Sequence, residues 1–219
     1  LGVIIGPYIT LGVVVLLVLA VFVIVRLPLT PGEEDRTLNL GPTFKRLFKR
    51  KRYIEGVVAQ AFYVGAQIMC WTFIIHYGVN ELGMQERTAQ GYNIVAMVIF
   101  VSSRFICTFL LRFISPGRLL LLLATGGGLL LLGVLFLPGM AGLYSLIGVS
   151  ACMSLMFPTI YGIALDNLGD DAKLGSAGLI LAIGGGSFLP PLQGAIMDTN
   201  GFLGLSSTRV SFILPFICF

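Results

Sequence analysis

The dominant constraint on this chain is a succession of long apolar stretches almost free of charge. They lie at 2–25, 54–77, 88–111, 119–137, 141–165 and 174–197, with a shorter one from 210. Stretches of about 18 apolar residues or more cross a bilayer as helices. These run continuously rather than alternating, and lipid offers no partner to backbone polar groups, so helices are favoured over a barrel. Composition agrees, with 57% of residues hydrophobic and 11% charged. A soluble domain of this size needs more charge than that to cover its surface. The predicted class is an all-α integral membrane bundle of about six to seven helices.

The first stretch is too long for the core of a signal peptide, and it has neither a basic leader nor a small-residue cleavage site. The last runs about ten residues from Val210 to Phe219, roughly half a span. A chain that opens inside one helix and closes inside another reads as a fragment.

Orientation comes from the basic residues. Of 14 Lys and Arg, eight fall between Arg26 and Arg52, in the one long polar interruption, which also holds Pro28, Pro31 and Pro42. The positive-inside rule makes that segment cytoplasmic. Alternation then puts Arg112, Arg118 and Lys173 inside, and only Arg87 and Arg209 outside. Lys49-Arg50-Lys51-Arg52 sits between membrane helices, so anionic lipid headgroups are its nearer partner and nucleic acid is not expected. Phe44, Leu47 and Phe48 have helical spacing among Lys45, Arg46 and Lys49. A short helix on the inner leaflet and a solvated basic loop fit that pattern equally. Transporters made of two six-helix halves carry their longest cytoplasmic loop between spans six and seven. On that plan residues 1–26 are helix six, 27–52 a basic inter-domain linker, and 53–219 a six-helix C-terminal domain with its last helix truncated.

Ionisable groups in the hydrocarbon are costly and mark function. All ten acidic residues lie in loops or within a turn of a helix end, so no span carries a carboxylate near its middle. A proton carrier, if there is one, belongs to another part of the protein. Arg104 is the one charge well inside a span, eight residues or about 12 Å of helix before Arg112. A gating or structural role is expected for it. Gln60, Tyr63, Gln67 and Trp71 recur every three or four residues and share one helical face. Two amides and two amphipathic aromatics suit sugar hydroxyls and ring faces, while interhelical hydrogen bonding is the plainer use. Asn93 and Gln90 are weaker members of such a wall. Met153, Phe157 and Tyr161 line up across Pro158, where a bent helix either closes over a ligand or simply packs. Gly184, Gly185 and Gly186, near Pro190 and Pro191, lack the strand and the Lys-Ser/Thr of a phosphate loop; close helix approach and a kink are expected there.

No catalytic set is visible, and none of the spacings suits a metal or an organic cofactor. His76 stands alone at a helix end. Cys70, Cys107, Cys152 and Cys218 lie one per apolar segment, without ligand spacing, and read as packing residues.

The span from Ala59-Gln60-Ala61-Phe62-Tyr63 through Gln67 to Cys70-Trp71 resembles the seventh helix of the bacterial L-fucose–proton symporters of the major facilitator superfamily. Ser103-Arg104-Phe105 through Arg112 resembles that superfamily's loop motif between helices eight and nine, with Cys107 where the motif has glycine. Met153-Ser154, Phe157-Pro158-Thr159-Ile160, Asn167-Leu168-Gly169, Gly175-Ser176, Gly184-Gly185-Gly186 and Asp198 follow in order, so the resemblance covers roughly residues 53–200. It implies a helical bundle that is half of a sugar–proton symporter. The other half, N-terminal, would hold the proton-linked and sugar-binding carboxylates, and the two would rock about the substrate. By position it implies that Gln67, Trp71, Asn93 and Phe157 face the sugar, with L-fucose first and galactose or glucose second. A non-transporting membrane scaffold is the alternative of a different class.

Overall fold

The computed structural model describes residues 2–24, 40–198 and 205–219. Residues 1–39 and 40–219 form two separate units. In the first, α1 (Gly2–Ile24) is a helix of 23 residues without a charge, about 34 Å long. Arg26, Arg36 and the stretch of the expected linker up to Asn39 lie outside the described residues.

The second unit begins with α2 (Leu40–Leu47), followed by α3 (Lys51–Leu82), α4 (Glu86–Leu110) and α5 (Pro116–Phe136). Next come α6 (Met140–Met153) and α7 (Met156–Leu165), a 3₁₀ turn at Gly169–Asp171, α8 (Ala172–Gly186) and α9 (Leu189–Met197). Two short helices close it, α10 (Ser207–Ser211) and α11 (Ile213–Cys218). Five segments of the described residues are long and apolar enough to cross a membrane: α3, α4, α5, the α6–α7 pair and the α8–α9 pair.

Three expected spans are interrupted rather than continuous, and each interruption precedes a proline by about one turn. The 141–165 stretch breaks at Ser154-Leu155 ahead of Pro158, the 174–197 stretch at Ser187-Phe188 ahead of Pro190 and Pro191, and the last at Phe212 ahead of Pro215. Proline has no N–H to donate to the carbonyl four residues back, and its ring crowds that carbonyl. The expected bend at Pro158 therefore lies three to four residues upstream of it.

α3 is the central post. Its 32 residues make it about 48 Å long, eight residues beyond the 54–77 expected. It touches α4, α6, α7, α8, α9, α10 and α11. It stops at Gly83, whose φ of 61° lets Gly83 N and Met84 N bond back to Val79 O and Gly78 O; this left-handed cap comes cheaply only to glycine. Small residues set the distances around the post. A Cβ on Gly186 would lie 2.8 Å from Gly65 N and 2.9 Å from Ala61 O, so α8 runs almost against the α3 backbone. Gly185 and Gly184 do not share that role: the first would meet only the Ala61 Cβ, at 3.7 Å, and the second nothing within 4 Å.

Polar contacts tie the loops together at each end. At one end Arg46 pairs with Asp171 at 2.8 Å, and Arg50 Nη1 donates to Asn167 O. At the other, Arg209 Nε donates to Glu81 at 2.7 Å, Ser206 Oγ bonds to the same carboxylate, and Asn80 Nδ2 donates to Thr208. The loops that alternation assigns to the cytoplasm thus share one end, and those assigned outside share the other. Part of the basic segment is also not free linker. α2 is seated on the bundle, with Thr43 and Leu47 buried, and α3 already begins at Lys51.

A candidate substrate wall around a broken helix

The α6–α7 break frees backbone carbonyls inside the bundle, where an unpaired one is costly. Side chains from two other helices take them. Tyr63 of α3, 2% exposed, donates its hydroxyl to Met153 O at 2.7 Å. Arg104 of α4 donates Nε to Ser154 O at 3.1 Å, the carbonyl that Pro158 cannot serve. Ser154 Oγ in turn donates to Cys107 Sγ at 3.8 Å, so the thiol standing in for the motif's glycine has a partner. The break is held from both sides, and the guanidinium is positioned by an acceptor and a ring: its Cζ lies 5.2 Å from the centre of Phe100.

Aromatic side chains gather at the same place. Trp71 Nε1 donates to Ser150 Oγ at 3.3 Å, and the indole meets Phe100 edge-on at 5.0 Å. Phe157 meets Tyr63 edge-on at 6.4 Å and stacks on Tyr161, also at 6.4 Å. Of the six expected wall residues, Tyr63 and Phe157 meet in one aromatic pair, Trp71 meets Phe100 in another, and Tyr63 and Trp71 both donate hydrogen bonds to α6. Gln67, Trp71 and Phe157 are half-buried and Asn93 is buried. Gln90 is exposed. Gln60 is fully buried, and neither its Oε1 nor its Nε2 has a hydrogen-bond partner among the described residues; Asn93 Oδ1 also lacks one. No hydrogen bond among the described residues joins Gln60, Gln67 or Asn93 to the aromatic cluster.

Arg112 is exposed two residues past the end of α4, its Cζ 5.8 Å from the Phe109 ring centre. Pro158 borders a cavity of about 320 Å³ with Leu111, Pro116, Leu155, Thr159, Gly162, Ile163 and Asp166. That cavity lies toward the end carrying the 111–116 turn, and none of the six wall candidates lines it. Ser150, Ser154 and Phe100 were missed at the level of sequence. Ser154 was within reach, because a proline at 158 implies a free carbonyl at 154.

No family model matches the chain. Over 213 residues it is 49% identical to an L-fucose-proton symporter of Haemophilus influenzae, an alignment covering 97% of this chain and 50% of that protein. It is 32% identical to an L-fucose-proton symporter of Escherichia coli over 97% of this chain and 48% of the relative. A putative glucose/galactose transporter of Helicobacter pylori is 27% identical over 97% of the chain and 51% of its own length. The fold is similar to a crystal structure of the Escherichia coli fucose:proton symporter FucP, with a TM-score of 0.80 at 32% identity, over 97% of this chain and 53% of that one. A second crystal structure, of that major facilitator superfamily transporter in the outward conformation, gives 0.79. The chain spans about half the length of the curated relatives it matches. It is a multi-pass membrane protein of the major facilitator superfamily, similar along its length to half of an L-fucose-proton symporter.

Proposed function

We propose that this chain is the C-terminal half of a proton-coupled sugar symporter of the inner membrane, one that imports L-fucose by alternating access. The observation that carries this reading is the 49% identity to an L-fucose-proton symporter across nearly the whole chain. The geometry supports it chemically. The half-buried rings of Trp71 and Phe157, the latter backed edge-on by the buried Tyr63, suit the C–H face of a sugar ring, and Gln60, Gln67 and Asn93 are amides suited to hydroxyls. In this reading Gln60 and Asn93 gain their missing partners when substrate binds or when the other half closes over them.

The described carboxylates sit at or near helix ends, Glu55 and Glu81 on α3, Glu86 on α4, and Asp166, Asp171 and Asp198 just outside helices. The proton-titrating group is therefore assigned to the N-terminal half, the partner against which this half rocks. Arg104 and Pro158 act in gating: the guanidinium holds the freed Ser154 carbonyl while α7 tilts against α6. Gly186 keeps α8 close to α3, and Gly184 and Gly185 leave α8 slim on its open side. Arg112 completes the loop motif at the end of α4. The protein acts as a carrier, not an enzyme, and uses no cofactor. Galactose or glucose is the second reading, motivated by the 27% identity to glucose/galactose transporters.

The test is uptake of labelled L-fucose by transport-deficient cells expressing the full-length protein, with galactose and glucose as competitors. Uptake that collapses with the proton gradient, and that falls at least tenfold in Gln67→Ala and Trp71→Ala, is expected. No uptake of any of the three sugars by protein present in the membrane would refute the carrier reading and favour a scaffold module.

A further inference from the structure

α2 with the residue after it, the first turns of α3 and the middle of α8 form an apolar groove of about 300 Å³, lined among others by Phe44, Phe48, Ile54, Val58, Gly178 and Leu181. Phe44 and Phe48 are spaced four apart, lie 5.2 Å from each other, and are exposed, as are Val58 and Leu181 beside them. On a membrane helix such a surface is wetted by hydrocarbon. Basic residues stand beside it. Lys45 and Lys49 each follow one of the two phenylalanines in sequence, along α2 and the turn after it, while Lys51 lines the neighbouring cavity with Asp166 and Asn167. All three lysines are exposed, and none has an ion pair among the described residues.

Their position is held by packing. Leu47 is buried with Tyr53, Ala164, Leu168 and Leu179, and Arg46 grips Asp171 through two hydrogen bonds of 3.2 and 2.8 Å. That pair occupies the acid nearest α2 and leaves the lysines to an outside anion. We propose that this groove binds one anionic phospholipid, with an acyl chain along Phe44, Phe48, Val58 and Leu181 and the phosphate at Lys45 and Lys49. Only a ligand that joins hydrocarbon to an anion meets both parts. A free phosphate leaves the groove empty, and a zwitterionic lipid brings no net charge to the lysines.

The test is native mass spectrometry of the detergent-purified full-length protein, titrated with phosphatidylglycerol and, separately, with phosphatidylcholine of the same chains. The wild type is expected to retain one phosphatidylglycerol more than the variant carrying Lys45→Gln and Lys49→Gln, whose affinity at this site falls about thirtyfold, as two interfacial lysines predict. Val58→Trp, which fills the groove, loses the same lipid without changing charge, and Phe48→Ala serves if that variant does not elute as folded protein. Arg87→Gln, at the opposite end, keeps it. Equal retention by wild type and the double lysine variant would overturn the proposal. So would a phosphatidylcholine retained as well as phosphatidylglycerol at this site. Displacement by an equal concentration of glycerol 3-phosphate would reassign the lysines to a free-phosphate site and overturn it too.

Discussion

Gly186→Ala should loosen the bundle more than any other single methyl group added to the glycine triplet. The new Cβ would sit 2.8 Å from Gly65 N and 2.9 Å from Ala61 O, both backbone atoms of α3 that cannot rotate away. Reaching the 3.4 Å at which ordinary contact begins requires α8 to retreat by about 0.6 Å. A gap of that size forfeits roughly a quarter of the dispersion attraction along the seam. Overpacking of this kind costs about 1–3 kcal/mol, a fall in Tm of about 2–12 °C for a unit of this size. Gly184→Ala, which meets nothing within 4 Å, should stay within about 0.5 kcal/mol of wild type. The assay is thermal unfolding of the detergent-purified full-length protein, followed by loss of the monodisperse peak in size exclusion. If Gly186→Ala melts with the wild type, or Gly184→Ala melts as early as Gly186→Ala, the close-approach reasoning is refuted.

Tyr63→Phe keeps the ring but strands the Met153 carbonyl, and should cost about 1 kcal/mol; the same melting assay reads it, and an unchanged Tm would show the carbonyl finds another donor. Glu81→Gln removes the charge facing Arg209, whose side chain is 17% exposed against 8% for the glutamate. It should destabilise by about 1–3 kcal/mol and raise amide exchange across α10 and α11 while leaving α5 unchanged. The Arg46 guanidinium, hydrogen-bonded to Asp171, holds that carboxyl below its ordinary range, and the nearby Arg50 charge acts the same way. A depressed folded value means the stabilisation is complete above the unfolded carboxylate value of about 3.9 and is lost as pH falls through the lower folded value. The protection factors of the α2 amides, exchange divided into its intrinsic rate at each pH, should therefore be flat from pH 7 to about pH 4.5 and fall only below; a midpoint near pH 6 would contradict the pairing.

The membrane class, the spans and their alternation were legible because hydropathy reports solvent, and lipid is the solvent here. Arg209 facing Glu81 at one end and Arg46 facing Asp171 at the other follow from that alternation. The breaks were partly legible. Pro158 announced a bend, but a proline disrupts the turn before it, so the gap falls at Ser154-Leu155. Spacing alone could not reveal which of three consecutive glycines touches α3, because that depends on how α8 is rotated about its own axis. Nor could it settle α2, whose pattern fitted a helix on the inner leaflet and a basic loop alike; the structure instead seats Leu47 among Tyr53 and Leu179. The stripe on α3 was readable as a stripe, yet its members part company: Tyr63 and Trp71 reach acceptors on α6, while Gln60 reaches none. Which acceptors stand opposite a helix face is decided by residues 80 to 90 positions away.

That separation has a consequence in time. The post is made before what it supports. Tyr63 and its acceptor Met153 lie 90 residues apart in the chain, and Trp71 and Ser150 lie 79 apart. At about 5–20 residues per second, α3 leaves the ribosome roughly 4–18 s before α6 can offer either acceptor. During that interval Tyr63 and Trp71 belong to a helix whose acceptors on α6 have not yet been made. Such a helix must be sheltered at the insertion machinery or by protein already in the membrane, since lipid cannot bond its polar face.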